Sequence, residues 1–275
     1  RLQFLELLKN ADILLSNFKK GDLEKFQLTD ETLNELNPRL IHGKISGFGL
    51  DSDRVAYDLI LQAESGFMSM NGTKDSGPVK MPVALIDVLA GHQLKEALLL
   101  ALLERHQTNR GKVVHVSLYD AAVCSLANQA SNYLMEKHVP QRIGSLHPNI
   151  APYGELFDTK DGKIITFAIG SNRHFKKLCE FLTLTNLPNS EEFKDNQNRG
   201  ENRVELANMI QIKIGELDSK AICSWAEKNF VPAGIVRSLD EVFEDQKAQQ
   251  FVRSEYIDGI KTKRMSALAF NYDGN

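Results

Sequence analysis

Asp12-Ile-Leu-Leu-Ser16, followed by Thr29-Asp-Glu-Thr-Leu33 and then by Leu40-Ile-His-Gly-Lys-Ile-Ser46, decides how this chain is read. The outer two segments are short apolar runs of strand length. Between them Thr29 opens a helix with a hydroxyl cap, and Asn37-Pro38 closes it. Strand, helix and strand within about thirty-five residues form a βαβ unit. Such a unit implies a parallel sheet, with a ligand crevice at the carboxyl ends of its strands. The expected class is therefore α/β.

Asn17-Phe-Lys-Lys-Gly21 ends the first strand, and Gly47-Phe-Gly49 turns the chain after the second. Residues 57–70 read as a helix and 71–78 as a polar loop. The run Pro82-Val-Ala-Leu-Ile-Asp-Val-Leu-Ala-Gly91 then carries Asp87 to the start of a helix expected over 88–106. Leu89, Ala90, Leu94, Ala97, Leu98, Ala101 and Leu102 supply its apolar face. Aspartate is a preferred N-cap, and first-turn amides and the helix dipole favour its ionised form. Read alone, Asp87 is a helix cap. Residues 112–117 alternate as a strand, and 118–137 read as a second long helix that begins at Asp120. Local physics does not separate Asp120 from Asp87.

Three prolines and two histidines then interrupt residues 138–152. Beyond them come a hairpin around Asp161-Gly162, helices over 173–184, 202–217 and 219–229, a strand over 231–236 and a helix over 239–246. The expected division is a large domain over 1–137, a linker and loop over 138–150, a small α+β domain over 151–238, and a segment over 239–275 that returns toward the large domain.

The chain has 275 residues, 42% hydrophobic and 25% charged, with a net charge of −3. That balance argues against a dedicated nucleic-acid or anionic-membrane surface, and no apolar run is long enough to span a bilayer. Cys124, Cys179 and Cys223 lie far apart without a CxxC pair, so they read as buried free thiols in a reducing compartment. The cytoplasm is expected, with a mitochondrial setting left open. The histidines never fall at HxxxH spacing, so no metal site is expected. Lys19, Lys20 and Lys25 form one basic cluster, and Arg105, Arg110 and Lys112 another; both read first as solvated faces and second as phosphate sites. His42 and His115 read as satisfied structural groups. The apolar face already present at Leu2, Phe4 and Leu5 suggests the interior of a longer protein.

Further short stretches complete the pattern: Ala56-Tyr-Asp58, Ser65-Gly-Phe-Met68, Ala101-Leu-Leu-Glu-Arg105, Asn109-Arg-Gly-Lys112 and His147-Pro-Asn-Ile-Ala-Pro-Tyr153. With those above, in this order and spacing, they resemble the class III CoA-transferase family, which includes formyl-CoA and carnitine CoA-transferases and α-methylacyl-CoA racemases. The resemblance implies a Rossmann-like large domain, a small α+β domain and two longer chains interlocked as a homodimer. It places the nucleophile on Asp87 and coenzyme A contacts on Asn17, Phe18, Lys25, Ala56, Tyr57 and Asp58. It places the loop over the reacting thioester on residues 144–153, with Gly144, His147 and Asn149 in it.

The implied function is transfer of CoA from an acyl-CoA, with succinyl-CoA a candidate, to a carboxylic acid. That is a transferase of sulfur-containing groups that needs neither metal nor covalently bound cofactor, nucleic acid nor membrane. Racemases of the family use a histidine where Tyr57 stands and a glutamate where Asn172 stands, so racemisation ranks below transfer. A non-catalytic CoA-binding relative is the other alternative.

Overall fold

Three parallel strands, β1 (Ile13–Ser16), β2 (Ile41–Ser46) and β3 (Val113–Ser117), lie side by side in that order. They organise the first of two units, Arg1–Gly144, in a computed structural model that describes residues 2–266 and 268–270. Arg1, Ala267 and residues 271–275, where the predicted return segment ends, lie outside the described residues.

One face of the sheet is covered by α1 (Leu2–Leu8) and α3 (Asp30–Leu36), with the short α2 (Asp22–Lys25) between them in sequence. Leu8, Leu28, Leu33 and Leu40 are buried there, and Leu14 of β1 packs against them. Thr29 caps α3 as its sequence predicts, its hydroxyl accepting from the Thr32 amide at 3.3 Å. Asn37 ends it by donating to the carbonyls of Leu8 and Ala11, both at 3.0 Å.

After β2 come α4 (Asp58–Glu64), α5 (Phe67–Met70) and the 24-residue α6 (Leu85–Thr108), which packs on β2 and β3. Gly43 permits that approach: a Cβ there would meet Leu15 at 2.8 Å and Leu98 at 3.1 Å. Two expected helices are each broken in two. Residues 57–70 divide at Gly66, whose φ of 94° leaves the helical region, after the Ser65 hydroxyl bonds the Leu61 carbonyl at 2.5 Å. Residues 118–137 divide into α7 (Leu118–Cys124) and α8 (Ala127–Glu136). There the Ser125 hydroxyl takes the Ala121 carbonyl at 2.7 Å, and Ala127 adopts φ 50°.

The second unit, Ser145–Asn275, is built on the antiparallel sheet β4 (Tyr153–Asp158), β5 (Ile164–Ala168) and β6 (Ala233–Ile235). α9 (Asn172–Phe181), α10 (Asn196–Glu201), α11 (Arg203–Ile214) and α12 (Ser219–Asn229) accompany it. On α9, Phe175, Leu178, Cys179 and the following Leu182 recur at helical spacing, and all are buried with Phe157, Phe167 and Ile210. Each large side chain buried this way contributes roughly 1.5–3 kcal/mol. The unit ends with α13 (Leu239–Phe243), α14 (Gln246–Gln249) and the hairpin β7 (Val252–Ile257) and β8 (Ile260–Met265). The parallel sheet of one unit and the α+β make-up of the other match the sequence reading. Burial pushes the Cys179 thiol up to about 12, but Cys223 is half-buried and Cys124 exposed, against the expectation that all three thiols are buried.

Candidate active site

A cleft of about 740 Å³ opens beyond the carboxyl ends of β1 and β2, where a parallel α/β sheet presents its loops. Its walls are the segment from Ser16 to Gly21, the end of β2 with the chain through Tyr57, and Asp87 and Leu118 at helix starts. Of the residues expected from sequence, it brings together Asn17, Phe18, Ala56, Tyr57 and Asp87. Lys25 is not on this wall; its ammonium lies 5.7 Å from the Phe26 ring, and Phe26 packs on Phe18. Asp58 also stands off the lining, for a reason given below.

The turn that shapes one wall depends on Gly47. A Cβ there would lie 2.1 Å from the Cβ of Ala56, and both residues line the cleft. Gly47→Ala is predicted to destabilise the first unit by about 1–3 kcal/mol and to weaken CoA binding, checked by thermal unfolding and by CoA titration.

Asp87 is not the N-cap of its helix. α6 starts at Leu85 with Ala84 as the cap residue, and no side chain caps it from that position. Asp87 sits in the first turn, three positions past the cap residue. Asp58 takes the capping role from across the chain: its carboxylate accepts from the Ile86 amide at 2.7 Å. Gln62, fully buried one turn later on α4, donates to the same carboxylate at 2.6 Å. Its carbonyl oxygen accepts from the Met81 amide at 2.8 Å. Asp58 and Gln62 thus clamp residues 81–86 and fix where Asp87 emerges. The sequence signal for this clamp was the i,i+4 spacing of Asp58 and Gln62 on a helix.

The Asp87 carboxylate itself receives no hydrogen bond among the described residues. Asp87 is exposed at the cleft wall, and partial desolvation there, with the neighbouring charge of Asp58, raises its carboxyl above the ordinary aspartate range. The dipole was expected to favour the ionised form, but desolvation and like charge outweigh it. A more basic carboxylate is a stronger nucleophile. Asp120, the rival from sequence, is absent from the cleft lining. Ser117 caps α7, accepting from the Asp120 amide at 3.0 Å.

Charge in the cleft is mixed. Lys19, Lys20 and Arg54 line it, as do Glu24, Asp51 and Asp53. Arg54, which the sequence did not single out, stacks 3.8 Å above the Phe48 ring and donates to Glu64 at 2.6 Å. Buried Lys44 forms part of the floor and donates to Asp30 at 2.7 Å. His42 lies between Ser16 (2.8 Å) and Asp30 (3.3 Å), with its pKa lowered by burial and by Lys44. His115 meets Ser46 at 2.8 Å. Both histidines are satisfied groups, as expected. The cluster of Arg105, Arg110 and Lys112 is largely structural: Arg105 holds Asp12 at 2.9 Å and the Arg39 carbonyl at 3.1 Å, and Lys112 pairs with Glu104.

Of the expected loop residues, Gly144 belongs to the first unit, where its amide donates to the Gly72 carbonyl at 2.8 Å. His147 and Asn149 belong to the second. The His147 amide donates to the Tyr153 carbonyl at 2.9 Å, and the Asn149 amide to His147 Nδ1 at 3.1 Å. Asn172, where the resemblance puts a racemase glutamate, is an amide whose oxygen accepts from Arg199 at 2.9 Å. Among the described residues no three His, Cys, Asp or Glu side chains gather as metal ligands, and no helix is long and apolar enough to cross a membrane.

The family model for CoA-transferase family III matches residues 1–274. A succinate–glutarate CoA-transferase of Agrobacterium fabrum is 36% identical over 246 residues, 88% of this chain and 61% of that protein. The human succinyl-CoA:glutarate CoA-transferase is 32% identical over 242 residues, 86% of this chain and 55% of its own. A crystal structure of a CAIB/BAIF family protein from Brucella suis superposes with a TM-score of 0.83 at 31% identity, covering 98% of this chain and 71% of that one. The chain thus spans between about half and two thirds of the length of these curated relatives. With the family model matched almost end to end, the motif order and the fold lead to one conclusion: this chain belongs to CoA-transferase family III.

Proposed function

We propose that this protein transfers CoA from an acyl-CoA to a free carboxylic acid, with Asp87 as the nucleophile. The observation that carries the reading is an Asp87 carboxylate without hydrogen-bond partners among the described residues. It lies on the wall of a cleft shared with Asn17, Phe18, Ala56 and Tyr57, at strand carboxyl ends. Exchange of one thioester for another of similar energy needs no external energy source. A carboxylate nucleophile divides it into two easier steps.

Asp87 adds to the acyl-CoA carbonyl and expels CoA thiolate, leaving an aspartyl–acyl mixed anhydride. The thiolate then attacks the aspartyl carbonyl, which releases the original acid and leaves aspartyl-CoA. The incoming carboxylate attacks this thioester, and the returning thiolate gives the new acyl-CoA and free Asp87. Names of the relatives, such as the succinyl-CoA:mesaconate CoA-transferase of Haloarcula hispanica, support succinyl-CoA as donor and a dicarboxylic acid as acceptor. Leu99, Leu100 and Leu103 form an exposed apolar face on α6, of the kind an interlocked partner subunit would cover.

The test is a panel of mono- and dicarboxylic acceptors assayed with succinyl-CoA and acetyl-CoA on the full-length protein. Product acyl-CoA from at least one acid is expected; none from any acid overturns the reading. Lys19 and Lys20 serve the CoA phosphates in this account. Lys19→Ala with Lys20→Ala is predicted to raise the KM for acyl-CoA roughly tenfold or more, most at low ionic strength, with little change in kcat.

A further inference from the structure

Ser16 closes β1 and lines the cleft, yet the transfer steps make no use of it. In the parallel register it lies opposite Lys44 of β2, and His42 stands two residues before Lys44 on the same side of the sheet. Asp30, the first residue of α3, meets both.

These four side chains form one run of hydrogen bonds within the first unit. Ser16 Oγ lies 2.8 Å from His42 Nε2, and His42 Nδ1 lies 3.3 Å from Asp30 Oδ1. Lys44 Nζ donates to the other oxygen, Oδ2, at 2.7 Å and so holds the carboxylate from its far side. An ionised carboxylate only accepts, which puts the imidazole proton on Nδ1 and leaves Nε2 to accept from the Ser16 hydroxyl. Base at the hydroxyl and carboxylate behind the base is the arrangement that activates a serine. His42 is 2% exposed, and burial, with the charge of Lys44, lowers its pKa. A neutral ring is the form able to take a proton.

We propose that Ser16 is a second nucleophile of this cleft, activated by His42 and positioned through Asp30, and that it hydrolyses acyl-CoA. This rests on the reading above in taking acyl-CoA as the ligand of the cleft. Ser16 Oγ adds to the thioester carbonyl while His42 Nε2 takes its proton. The carbon–sulfur bond breaks, and that proton passes to the departing CoA sulfur. Water then adds to the seryl ester with His42 again as base, the bond to Ser16 Oγ breaks, and Ser16 recovers its proton. The net change is acyl-CoA plus water to carboxylic acid plus CoA. A serine side chain has no carbonyl on which to hold CoA as a thioester, so this route cannot pass CoA to a second acid. Transfer stays with Asp87.

The test uses the full-length Asp87→Asn protein with acetyl-CoA and succinyl-CoA and no acceptor acid. CoA release roughly 100-fold or more above that in buffer is expected, with an ester on the peptide that contains Ser16 after acid quench. Adding Ser16→Ala is expected to return release to the buffer rate. A fluorophosphonate, which needs no CoA site, is expected to label Ser16 in wild type. Asp30→Asn, whose amide can donate to the ring, is expected to slow that labelling at least tenfold with circular dichroism unchanged. CoA release that Ser16→Ala leaves as it was, or a Ser16 that stays unmodified in protein that binds acyl-CoA, would overturn the inference. Absence of acyl-CoA binding in wild type would overturn the reading of the cleft instead, and a Ser16 that the fluorophosphonate also fails to label would then overturn its activation by His42.

Discussion

Asp87→Ala and Asp87→Asn are expected to lower CoA transfer by about 10⁴-fold or more, because no other group in the cleft replaces the covalent step. Binding of CoA should persist, since Asn17, Phe18, Lys19 and Lys20 are untouched. Stability should change by less than about 1 kcal/mol, as the favourable position of a carboxylate in the first turn of α6 is offset by its raised pKa. The sign follows from linkage. A group whose folded pKa lies above its unfolded value contributes stability below the unfolded pKa and loses it as pH rises through the folded one. At neutral pH the ionised Asp87 is therefore no net support to the fold. Steady-state transfer kinetics, CoA titration and thermal unfolding of the two variants check the three expectations together.

Asp58 carries the next largest effect, through two separable roles. Asp58→Ala removes the acceptor that holds the Ile86 amide and Gln62, and is expected to cost about 1–2 kcal/mol of stability. Through displacement of Asp87 it should also lower kcat by roughly 100-fold. Asp58→Asn removes the charge and keeps an oxygen for the Ile86 amide, while the second acceptor, used by Gln62, is lost. Because burial is the larger cause of the raised Asp87 pKa and Asp58 the smaller, the acid limb of kcat/KM should move to lower pH without reaching the ordinary aspartate position. An acid limb that stays where it is in Asp58→Asn would show that the limb belongs to another group.

The parallel sheet was legible because the βαβ unit is short and each of its signals is local: branched apolar runs, the Thr29 cap and the Pro38 stop. The cleft position followed from topology, as the carboxyl ends of β1 and β2 had to carry the site loops. What pattern reading could not supply was how residues distant in sequence complete one another. An aspartate before an apolar run looks like a cap, yet the cap of α6 is Asp58, 28 positions from the amide it accepts. The same limit hid Arg199 and Arg203, whose acceptors are loop carbonyls about fifty positions away. The helix breaks at Gly66 and Ser125 were visible only as small residues inside apolar periodicity, and there backbone hydrogen-bond competition decided the outcome. The resemblance placed a coenzyme A contact on Lys25, and Asp120 rivalled Asp87 only by its place at a helix start; the cleft lining includes neither.

The central claim is that Asp87 becomes covalently acylated during transfer. Incubation of the full-length protein with succinyl-CoA, followed by hydroxylamine trapping and peptide mass mapping, tests it directly. The account predicts a hydroxamate on the peptide that contains Asp87, absent without acyl-CoA and absent in Asp87→Asn. Trapping on the peptide that contains Asp120, or full turnover with Asp87 unmodified, would contradict it.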